Sequence, residues 1–427
     1  MRILHAETPQ DWQELCGLFT VDYAAENRVE AAVREIITAV RQRGDEAVCE
    51  YTRRFDGLAL TPQELAVPQH TWLAAQQQIS AAALAALQTA AQNITAFHQH
   101  QRETDWEFER EGVRLGERVV PLAAVGLYVP GGRALYPSSV LMLAIPARLA
   151  GVRRVVMVTP PRAGGLDPHL LAAAELAGVH EIYQVGGAQA IAALAFGTPT
   201  IAAVDKIVGP GNRFVTAAKR QVFGQVGIDS LAGPSEIAIL ADDSADPEWL
   251  ARDLISQLEH DVEAKAVLVT DATALAERVS TRVAELAGRV ARAPIVAEAA
   301  QRFGVAFVVR SLAEGIAAIN AIAPEHLEIM TRAPRAVAAA ITNAGAIFLG
   351  SHSPVPMGDY AAGPNHTLPT GRSARFGSPL RVADFCKHLS MIEYSAAAFD
   401  RERGAVATLA MIEGLPNHAE AVTVRKT

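Results

Sequence analysis

The sequence predicts an α/β protein with two parallel β-sheets, and three observations support this fold class. From about Gly116 onward, short apolar, β-branched runs alternate with Ala-rich helical segments, which is typical of βαβ units. The alternation occurs in two similar blocks, which suggest an internal duplication, and the Gly-Pro turn LAGPSE (231–236) lies between them. The chain has 427 residues, 50% of them hydrophobic, so it is long enough for two or more domains with substantial cores.

Two long helices are predicted before the first block. Apolar residues recur at helical spacing from Arg28 to Phe55, and again from about Thr71 to Trp106. The second stretch is also rich in Ala and Gln, which favour helix.

The first block alternates strands with helices. Its predicted strands are VVMV (155–158), IYQV (182–185) and KIV (206–208), and Asp167 and Pro168 open a helix after the first of them. Glycines in VGGAQA (185–190) and VGPGN (208–212) stand between a strand and a helix, where backbone N–H groups hold phosphate or simply close a tight turn. Neither matches GxGxxG, so an ordinary dinucleotide-binding fingerprint is missing. In the Gly-Pro loop GLYVPGGRALYPSSV (126–140), Tyr128 could stack on a flat ring.

The second block repeats this pattern. Its predicted strands are EIAIL (236–240), AVLV (266–269), VAFVV (305–309), HLEIM (326–330) and AIFL (346–349). A helix runs from Pro247 to about Asp261, with Asp246 as its N-cap, and another spans 274–290.

Gln257 and His260 stand three residues apart at the end of the first of these helices, so they share one face. The pair either offers two metal ligands from one rigid turn or merely caps the helix and faces solvent, and spacing does not decide between these roles. Asp359, in a long Gly- and Pro-rich segment (357–376) that we expect to be functional, could add a carboxylate ligand. A further histidine would complete a four-ligand zinc site, and His366 and His418 are both candidates.

Glu325 and His326 follow Pro324 at the entry of a predicted strand. His is the commonest general base because its ordinary pKa of about 6.5 lies near the operating pH, and a neighbouring Glu could activate a water. The alternative is a strand-end pair that faces solvent.

Past Arg381 the sequence predicts a helix, a polar turn and a second helix, with no strand. We expect this segment to be an arm that packs on a second subunit. The net charge of −8 without a basic stripe argues against nucleic acid as a partner, and no apolar run is long enough for a membrane helix. Three widely spaced cysteines and an N-terminus without a signal-peptide pattern predict an unprocessed, soluble, cytoplasmic protein.

Eight stretches of the sequence together resemble the histidinol dehydrogenase family, in order and across nearly the whole chain. They are GLYVPGGRALYPSSVLM, VGGAQAIAALAFGT, VDKIVGPGN, LAGPSE, SQLEHD, APEHLEI, GDYAAGPNHTLPT and EGLPNHAEAV. The resemblance implies oxidation of L-histidinol through L-histidinal to L-histidine with reduction of two NAD, the last steps of histidine biosynthesis. It also implies one Zn²⁺ per subunit and a domain-swapped homodimer with shared active sites, whose C-terminal arms exchange.

The resemblance also assigns roles to the candidate residues. The implied zinc ligands are Gln257, His260, Asp359 and His418, with His418 arriving from the partner chain. His326 is the implied general base and Glu325 the residue that activates water. The zinc ligands and His326 also lie at the substrate, where the further implied contacts are Ser235, His366 and, across the interface, Glu413; the implied NAD contacts are Tyr128, Gln189 and Asn212.

The implied organisation is two Rossmann-like parallel-sheet domains with helical N- and C-terminal arms. Residues 1–24 form the N-terminal arm, 25–119 with 233–380 the metal and substrate domain, 120–232 the NAD domain, and 381–427 the exchanged C-terminal arm. Leu143 replaces the family's usual Asn, and SHSP (351–354) replaces a commoner aromatic-Thr-Pro run, which puts details of the pocket wall in doubt.

Two other functions compete with this interpretation. A zinc and NAD dehydrogenase on the same fold could oxidise another small alcohol, such as a sulfonated propanediol, but a sulfonate would require Arg or Lys where this chain keeps Glu413. A zinc-stabilised binding protein without turnover would have no need of the pair Glu325 and His326.

Overall fold

The computed structural model describes residues 1–20, 27–131 and 135–425. Part of the predicted N-terminal arm, the middle of the predicted 126–140 loop and the last two residues of the predicted C-terminal arm therefore lie outside the described residues. The described chain is an α/β structure with one six-stranded and one five-stranded parallel sheet and a small three-stranded antiparallel sheet, which confirms the predicted class.

Fourteen strands form these sheets in the described residues. The six-stranded sheet has the order β1-β11-β10-β9-β12-β13, the five-stranded sheet β6-β5-β4-β7-β8, and the antiparallel sheet β14-β3-β2. The strands are β1 (Arg2–His5), β2 (Trp106–Arg110), β3 (Val113–Pro121), β4 (Ala124–Tyr128), β5 (Arg154–Thr159), β6 (Glu181–Gln184), β7 (Lys206–Val208), β8 (Gly227–Ile228), β9 (Glu236–Ala241), β10 (Lys265–Thr270), β11 (Gly304–Val308), β12 (His326–Met330), β13 (Ala346–Leu349) and β14 (Cys386–Tyr394).

Helices cover both faces of each parallel sheet. They are α1 (Pro9–Leu18), α2 (Asn27–Arg43), α3 (Asp45–Asp56), α4 (Pro62–Leu65), α5 (Gln69–Leu73), α6 (Ala81–Gln99), α7 (Pro137–Ala150), α8 (Pro168–Ala177), α9 (Gly187–Phe196), α10 (Arg213–Val222), α11 (Pro247–Leu258), α12 (Thr273–Ala287), α13 (Ala293–Phe303), α14 (Leu312–Ile322), α15 (Pro334–Ala338), α16 (Val355–Tyr360), α17 (Ala396–Ile412) and α18 (Pro416–Thr423), with short 3₁₀ turns at Ala75–Gln78, Ser373–Arg375 and Val382–Phe385.

All eight predicted strands are present, and the predicted helix starts at Asp167 and Asp246 are confirmed, because both side chains accept backbone hydrogen bonds as N-caps. The prediction of two long N-terminal helices is wrong. The first is divided at Gly44, which has a φ of +55°. The second breaks up as well: α6 begins only after Ser80, its N-cap, and ends at Gln99, and residues from Trp106 form a strand.

The C-terminal prediction of helices without a strand is also wrong. Nine residues of β14 pair antiparallel with β3, from Cys386 opposite Pro121 to Tyr394 opposite Val113. Helices α17 and α18 follow this strand and pack on each other. The arm therefore consists of a β-ribbon that carries a helical hairpin.

The hydrophobic core is divided among the sheet faces. Helices α2 and α3 pack with α9 and α10 on one face of the five-stranded sheet, and α7 and α8 cover its other face. In the six-stranded sheet, α11, α12 and α13 cover one face, while α1 and α14 cover the other. Strand β1 lies at the edge of this sheet beside β11.

None of the helices in the described parts of the chain combines the length and the apolar character that crossing a bilayer requires. The three cysteines are unpaired.

Candidate active site

The candidate site lies where two sheet edges face each other. Strands β9 and β12 begin at Glu236 and His326, so the amino edge of the six-stranded sheet carries the predicted catalytic pair. Strand β4 ends at Tyr128, so the predicted NAD contacts lie at the carboxyl edge of the five-stranded sheet, which is the usual ligand edge in open α/β sheets.

The predicted functional segment, 357–376, bridges these two edges. Asn365 donates from Nδ2 to the Met142 carbonyl on α7 at 2.6 Å, and the Gly371 backbone N–H donates to Oε1 of Glu236 at 3.1 Å. The segment therefore lies between the two sheets, where the prediction of a functional role would place it.

His326 is buried at the start of β12, with one ring nitrogen committed. Its Nδ1–H donates to the Glu236 carbonyl at 2.9 Å, which leaves Nε2 as the nitrogen with a lone pair. Nε2 is buried, accepts no hydrogen bond in the part of the chain that the structure describes, and lies 3.8 Å from Oδ1 of Asp359. Burial lowers the pKa of His326 to about 4, so the ring is neutral at pH 7 and can accept a proton.

Glu325 lies beside this ring, also buried. Its Oε2 accepts from the Glu236 backbone N–H at 2.8 Å and lies 3.5 Å from Nδ1 of His326. Burial, together with the nearby Glu236 carboxylate, raises the pKa of Glu325 well above its ordinary value. Both predicted catalytic side chains are therefore held by the backbone of one neighbouring residue, Glu236.

The Glu236 side chain is itself fully buried and ion-paired with Lys265, at 3.0 Å between Oε1 and Nζ. Burial raises its pKa despite this pairing. The sequence analysis did not single out this ion pair, although a charged residue at the head of each of two apolar runs, EIAIL and KAVLV, was a signal for it.

Two predicted zinc ligands are placed by α11. Gln257, in its last turn, is 1% exposed, and its Nε2 finds no hydrogen-bond partner among the described residues. His260 follows the helix end and is exposed, with its backbone N–H donating to the Gln257 carbonyl at 3.2 Å.

Asp359 and His366 meet on the other side of His326. Asp359 lies on α16, and burial raises its pKa to about 7. Nδ1–H of His366 donates to the Asp359 carbonyl at 3.0 Å, and its Nε2 lies 3.2 Å from the hydroxyl of Ser139 on α7. Burial lowers the pKa of His366 to about 4, so this ring is also neutral at pH 7.

Ser235 is half-buried and precedes β9 directly, so it lies at the same sheet edge, with its carbonyl accepting from the Lys265 N–H at 3.0 Å.

Glu413 and His418 are not brought to this site within one chain. Glu413 caps the end of α17 and His418 lies on α18, and both are exposed. No hydrogen bond or ion pair joins either side chain to the other candidates across residues 1–20, 27–131 and 135–425. Within those same ranges, no three His, Cys, Asp or Glu side chains form a group that could hold a metal ion.

The predicted NAD contacts follow three strand ends of the five-stranded sheet. Tyr128 is 3% exposed and its hydroxyl accepts from the Gly187 N–H at 3.1 Å, so its ring is covered in this conformation. Gln189 is fully buried, and neither atom of its amide has a partner in the described chain. Asn212 is exposed and caps α10 through Oδ1, so only its NH₂ group is available to a ligand.

The two departures from the family pattern lie close to the site. Leu143 is fully buried on α7 and packs toward Gly209, next to the 208–212 loop. Residues 351–354 form a turn before α16, and His352 lies near Trp249 on α11. Neither replaces a candidate side chain.

Comparison with known proteins gives one consistent result. The family model described as Histidinol dehydrogenase matches residues 21–426. The chain is 50% identical over 414 residues to the histidinol dehydrogenase of Gluconobacter oxydans (strain 621H), with 97% of this chain and 96% of that protein covered. It is 51% identical over 399 residues to that of Lactiplantibacillus plantarum, with 93% of each covered.

A solved structure agrees with these sequence matches. The crystal structure of histidinol dehydrogenase from Elizabethkingia anophelis superposes with a TM-score of 0.93 at 35% identity, covering 99% of this chain and 97% of that one.

Proposed function

The chain belongs to the histidinol dehydrogenase family, and on that premise we propose that it oxidises L-histidinol through L-histidinal to L-histidine, with two NAD reduced per turnover. These are the last steps of histidine biosynthesis. The observation that carries the proposal is the buried, neutral His326, whose unpartnered Nε2 faces Asp359 beside Glu325.

His326 takes the hydroxyl proton of the substrate as hydride leaves the carbinol carbon. Its Nδ1–H bond to the Glu236 carbonyl fixes the ring and keeps the lone pair on Nε2. Glu325 activates the water that adds to the aldehyde before the second hydride transfer. NAD supplies the hydride acceptor in both steps, and we place it against Tyr128, Gln189 and Asn212.

We propose that Gln257, His260 and Asp359, with His418 of a second copy of the chain, hold one Zn²⁺ per subunit. The residues present fit such an ion. The carboxyl group of Asp359 is in a largely buried position, where ionisation costs free energy unless a cation neutralises the charge. Gln257 keeps a buried polar atom without a hydrogen-bond partner among the described residues. When bound, the ion supplies a template for the amine and imidazole of the substrate.

The remaining substrate contacts surround this position. We propose that Ser235 and His366 contact the substrate from the same chain and that Glu413 does so from the second copy. A carboxylate at Glu413 suits the cationic or N–H-donating end of histidinol through charge-assisted hydrogen bonds.

The arm supports the proposal of a domain-swapped homodimer. Large apolar side chains are exposed on it, among them Ile392 (71%), Leu409 (60%) and Ile412 (76%). An exposed apolar patch of this kind marks an interaction surface. Glu413 and His418 lie exposed beyond this patch at the end of the arm, and we propose that a second copy receives them.

The division of the chain follows from these assignments. We propose two Rossmann-like units, with NAD bound by 120–232 and the metal and substrate bound by the unit that contains 233–380. Residues 381–427 form the exchanged arm.

The yield of NADH per L-histidinol consumed tests the function. Two NADH per substrate, lost when Zn²⁺ is removed and restored when it is added back, is the expected result. One NADH would mean that oxidation stops at the aldehyde. Oxidation of a sulfonated propanediol with no reaction of L-histidinol would contradict the proposed substrate.

A further inference from the structure

A buried acidic pair lies behind the candidate metal site. Glu328 stands in the middle of β12 and is 1% exposed. Met330, two residues further along the same strand, and Leu254 and Leu258 on α11 belong to one apolar cluster. Asp253 is half-buried on α11. The two carboxyl groups interact, and Oε2 of Glu328 has no other hydrogen-bond partner among the described residues, so a proton shared between the two groups would satisfy it.

Glu328 also contacts a third element. Its Oε1 accepts from the backbone N–H of Val355, the first residue of α16, at 2.8 Å. One carboxyl group on β12 therefore binds both α11 and α16.

Each of the three contacting residues lies on the same element as a site residue, two or four positions away from it. Asp253 precedes Gln257 by four residues on α11, so the two share one helix face. Val355 precedes Asp359 by four residues on α16, and Glu328 follows His326 by two on β12, so those strand side chains point to one side of the sheet.

We infer that Asp253 and Glu328 are positioning residues that hold α11, β12 and α16 at the spacing that the metal and substrate site requires. The inference rests on the proposed function, because it concerns the residues that we assign to Zn²⁺ and to the base.

The protonation of the pair supports this geometry. Burial raises the pKa of Glu328 to about 9 and that of Asp253 to about 6. At neutral pH, Glu328 therefore keeps its proton and donates to the Asp253 carboxylate. A buried carboxyl pair contributes less to stability than apolar residues of similar volume, so stability alone gives no reason for this arrangement.

Metal binding by the full-length chain tests the inference without relying on turnover. The probe is Co²⁺, whose visible spectrum reports ligand geometry, and Zn²⁺ affinity is measured by competition with a chelator. The variants are Glu328→Met, which keeps the volume and removes both hydrogen bonds, and Glu328→Gln, which keeps both. Asp253→Ala breaks only the link to α11, at a helix position that favours Ala.

Asp242→Asn is the matched control. Asp242 is also buried and accepts the N–H groups of Ser244 and Arg332, but it lies past the opposite end of β9, away from the site.

We expect Glu328→Met and Asp253→Ala to bind both ions at least roughly tenfold more weakly, with an altered Co²⁺ spectrum, as residues that support metal ligands do. Glu328→Gln and Asp242→Asn retain wild-type affinity and spectrum. Wild-type binding by both disruptive variants overturns the inference, and if Glu328→Met fails to fold, Asp253→Ala decides. A wild-type chain that binds neither ion contradicts the proposed metal site, and the inference with it.

Discussion

His326 combines a fixed orientation with a free lone pair. The Glu236 carbonyl accepts a hydrogen bond from Nδ1–H. Burial lowers the pKa of the ring to about 4, so the ring is neutral at pH 7. Oδ1 of Asp359 lies 3.8 Å from the other ring nitrogen, Nε2. An imidazole in this state accepts a proton only from a group placed against Nε2, which restricts its chemistry to a substrate bound between β12 and α16.

Substitution His326→Asn tests this role. The Asn amide can still donate to the Glu236 carbonyl, so we expect the fold and the Zn²⁺ affinity to remain as in the wild type. We expect kcat to fall by roughly 10²- to 10⁴-fold because the general base is lost. Steady-state NADH formation measures kcat, and a normal rate in this variant would exclude His326 as the base.

The pH dependence of stability tests the state of Glu328. Its pKa rises from 4.5 in the ordinary state to about 9 in the fold. Between these values the unfolded chain has released the proton that the folded chain keeps, so the free energy of unfolding falls as pH rises, by at most about 1.4 kcal/mol per pH unit. Glu328→Gln removes this loss, and the variant gains stability relative to wild type from pH 5.5 to 8.5.

Urea unfolding of the metal-free protein measures this difference. Asp242→Asn is again the control, because hydrogen bonds from Ser244 and Arg332 lower the pKa of Asp242 although burial opposes them. That carboxyl is ionised in both states over this pH range, so the control keeps a constant difference from wild type. A constant difference in Glu328→Gln as well would mean that Glu328 is ionised in the fold.

Candidate residues could be identified from the sequence where a local pattern marks them. His326 and Glu325 follow Pro324 at a strand entry, and Gln257 and His260 share a helix face, so spacing alone made them candidates. Lys265 and Glu328 were missed because their roles come from partners far along the chain. The visible signal was a charged residue in a run that is otherwise apolar.

At the scale of elements, the loop from Val208 to Asn212 depends on a buried ion pair. Lys219 on α10 is 2% exposed, pairs with Asp229 and donates to the Gly209 carbonyl at 3.0 Å. The Gly209 N–H donates to Oδ2 of Asp229 at 2.7 Å. Gly209 has a φ of +117° and leaves no space for a Cβ next to the Tyr128 carbonyl. The pair therefore fixes the loop that presents Asn212.

Lys219→Met should weaken NAD binding more than it weakens substrate binding. The substitution leaves Asp229 buried without its cation and frees the loop. We expect KM for NAD to rise about tenfold or more, on the scale of a lost charge-assisted contact, with KM for L-histidinol changed less. Lys206→Met is the control, because Lys206 binds the Asp384 carbonyl at the other end of β7. Equal effects on both KM values in Lys219→Met would contradict the role in the NAD loop.

Most of the strands that the sequence predicted are buried on both faces, where apolar β-branched runs are continuous. Strands β2 and β14 were missed because nearly all of their residues are exposed in a single chain, so no core pattern marks them. Their formation depends on pairing with β3, and β14 is more than 250 residues away from it. The division of the first long helix was missed because only the positive φ of Gly44 distinguishes a break from a tolerated glycine.

At the scale of the whole molecule, the arm is the part that a single chain leaves incomplete. Its strand and helices expose large apolar side chains, and it carries two candidate residues that reach no other candidate in the same chain. The sequence predicted an arm for contact with a second subunit because this segment had no sheet to join. Its detailed path could not be predicted, because β14 pairs with β3, which lies far away along the chain.

Ile412→Glu should weaken the proposed dimer. Ile412 is 76% exposed at the end of α17, and a charge buried in an apolar interface costs several kcal/mol. We expect sedimentation velocity to show a shift from dimer to monomer at micromolar concentration, together with loss of activity. Leu73→Glu is the control, with Leu73 48% exposed on α5 outside the arm, and a dimer that persists unchanged in Ile412→Glu would place the interface elsewhere.

Mixing two inactive variants tests the shared site most directly. His326→Asn disables the sheet side of the site and His418→Asn disables the arm side, and each variant alone is expected to be inactive. After unfolding and refolding together in equal amounts, half of the dimers are mixed, and each mixed dimer pairs one intact sheet side with one intact arm. We expect about a quarter of wild-type activity to return. No recovered activity from a mixture that forms mixed dimers would show that each site is built from one chain.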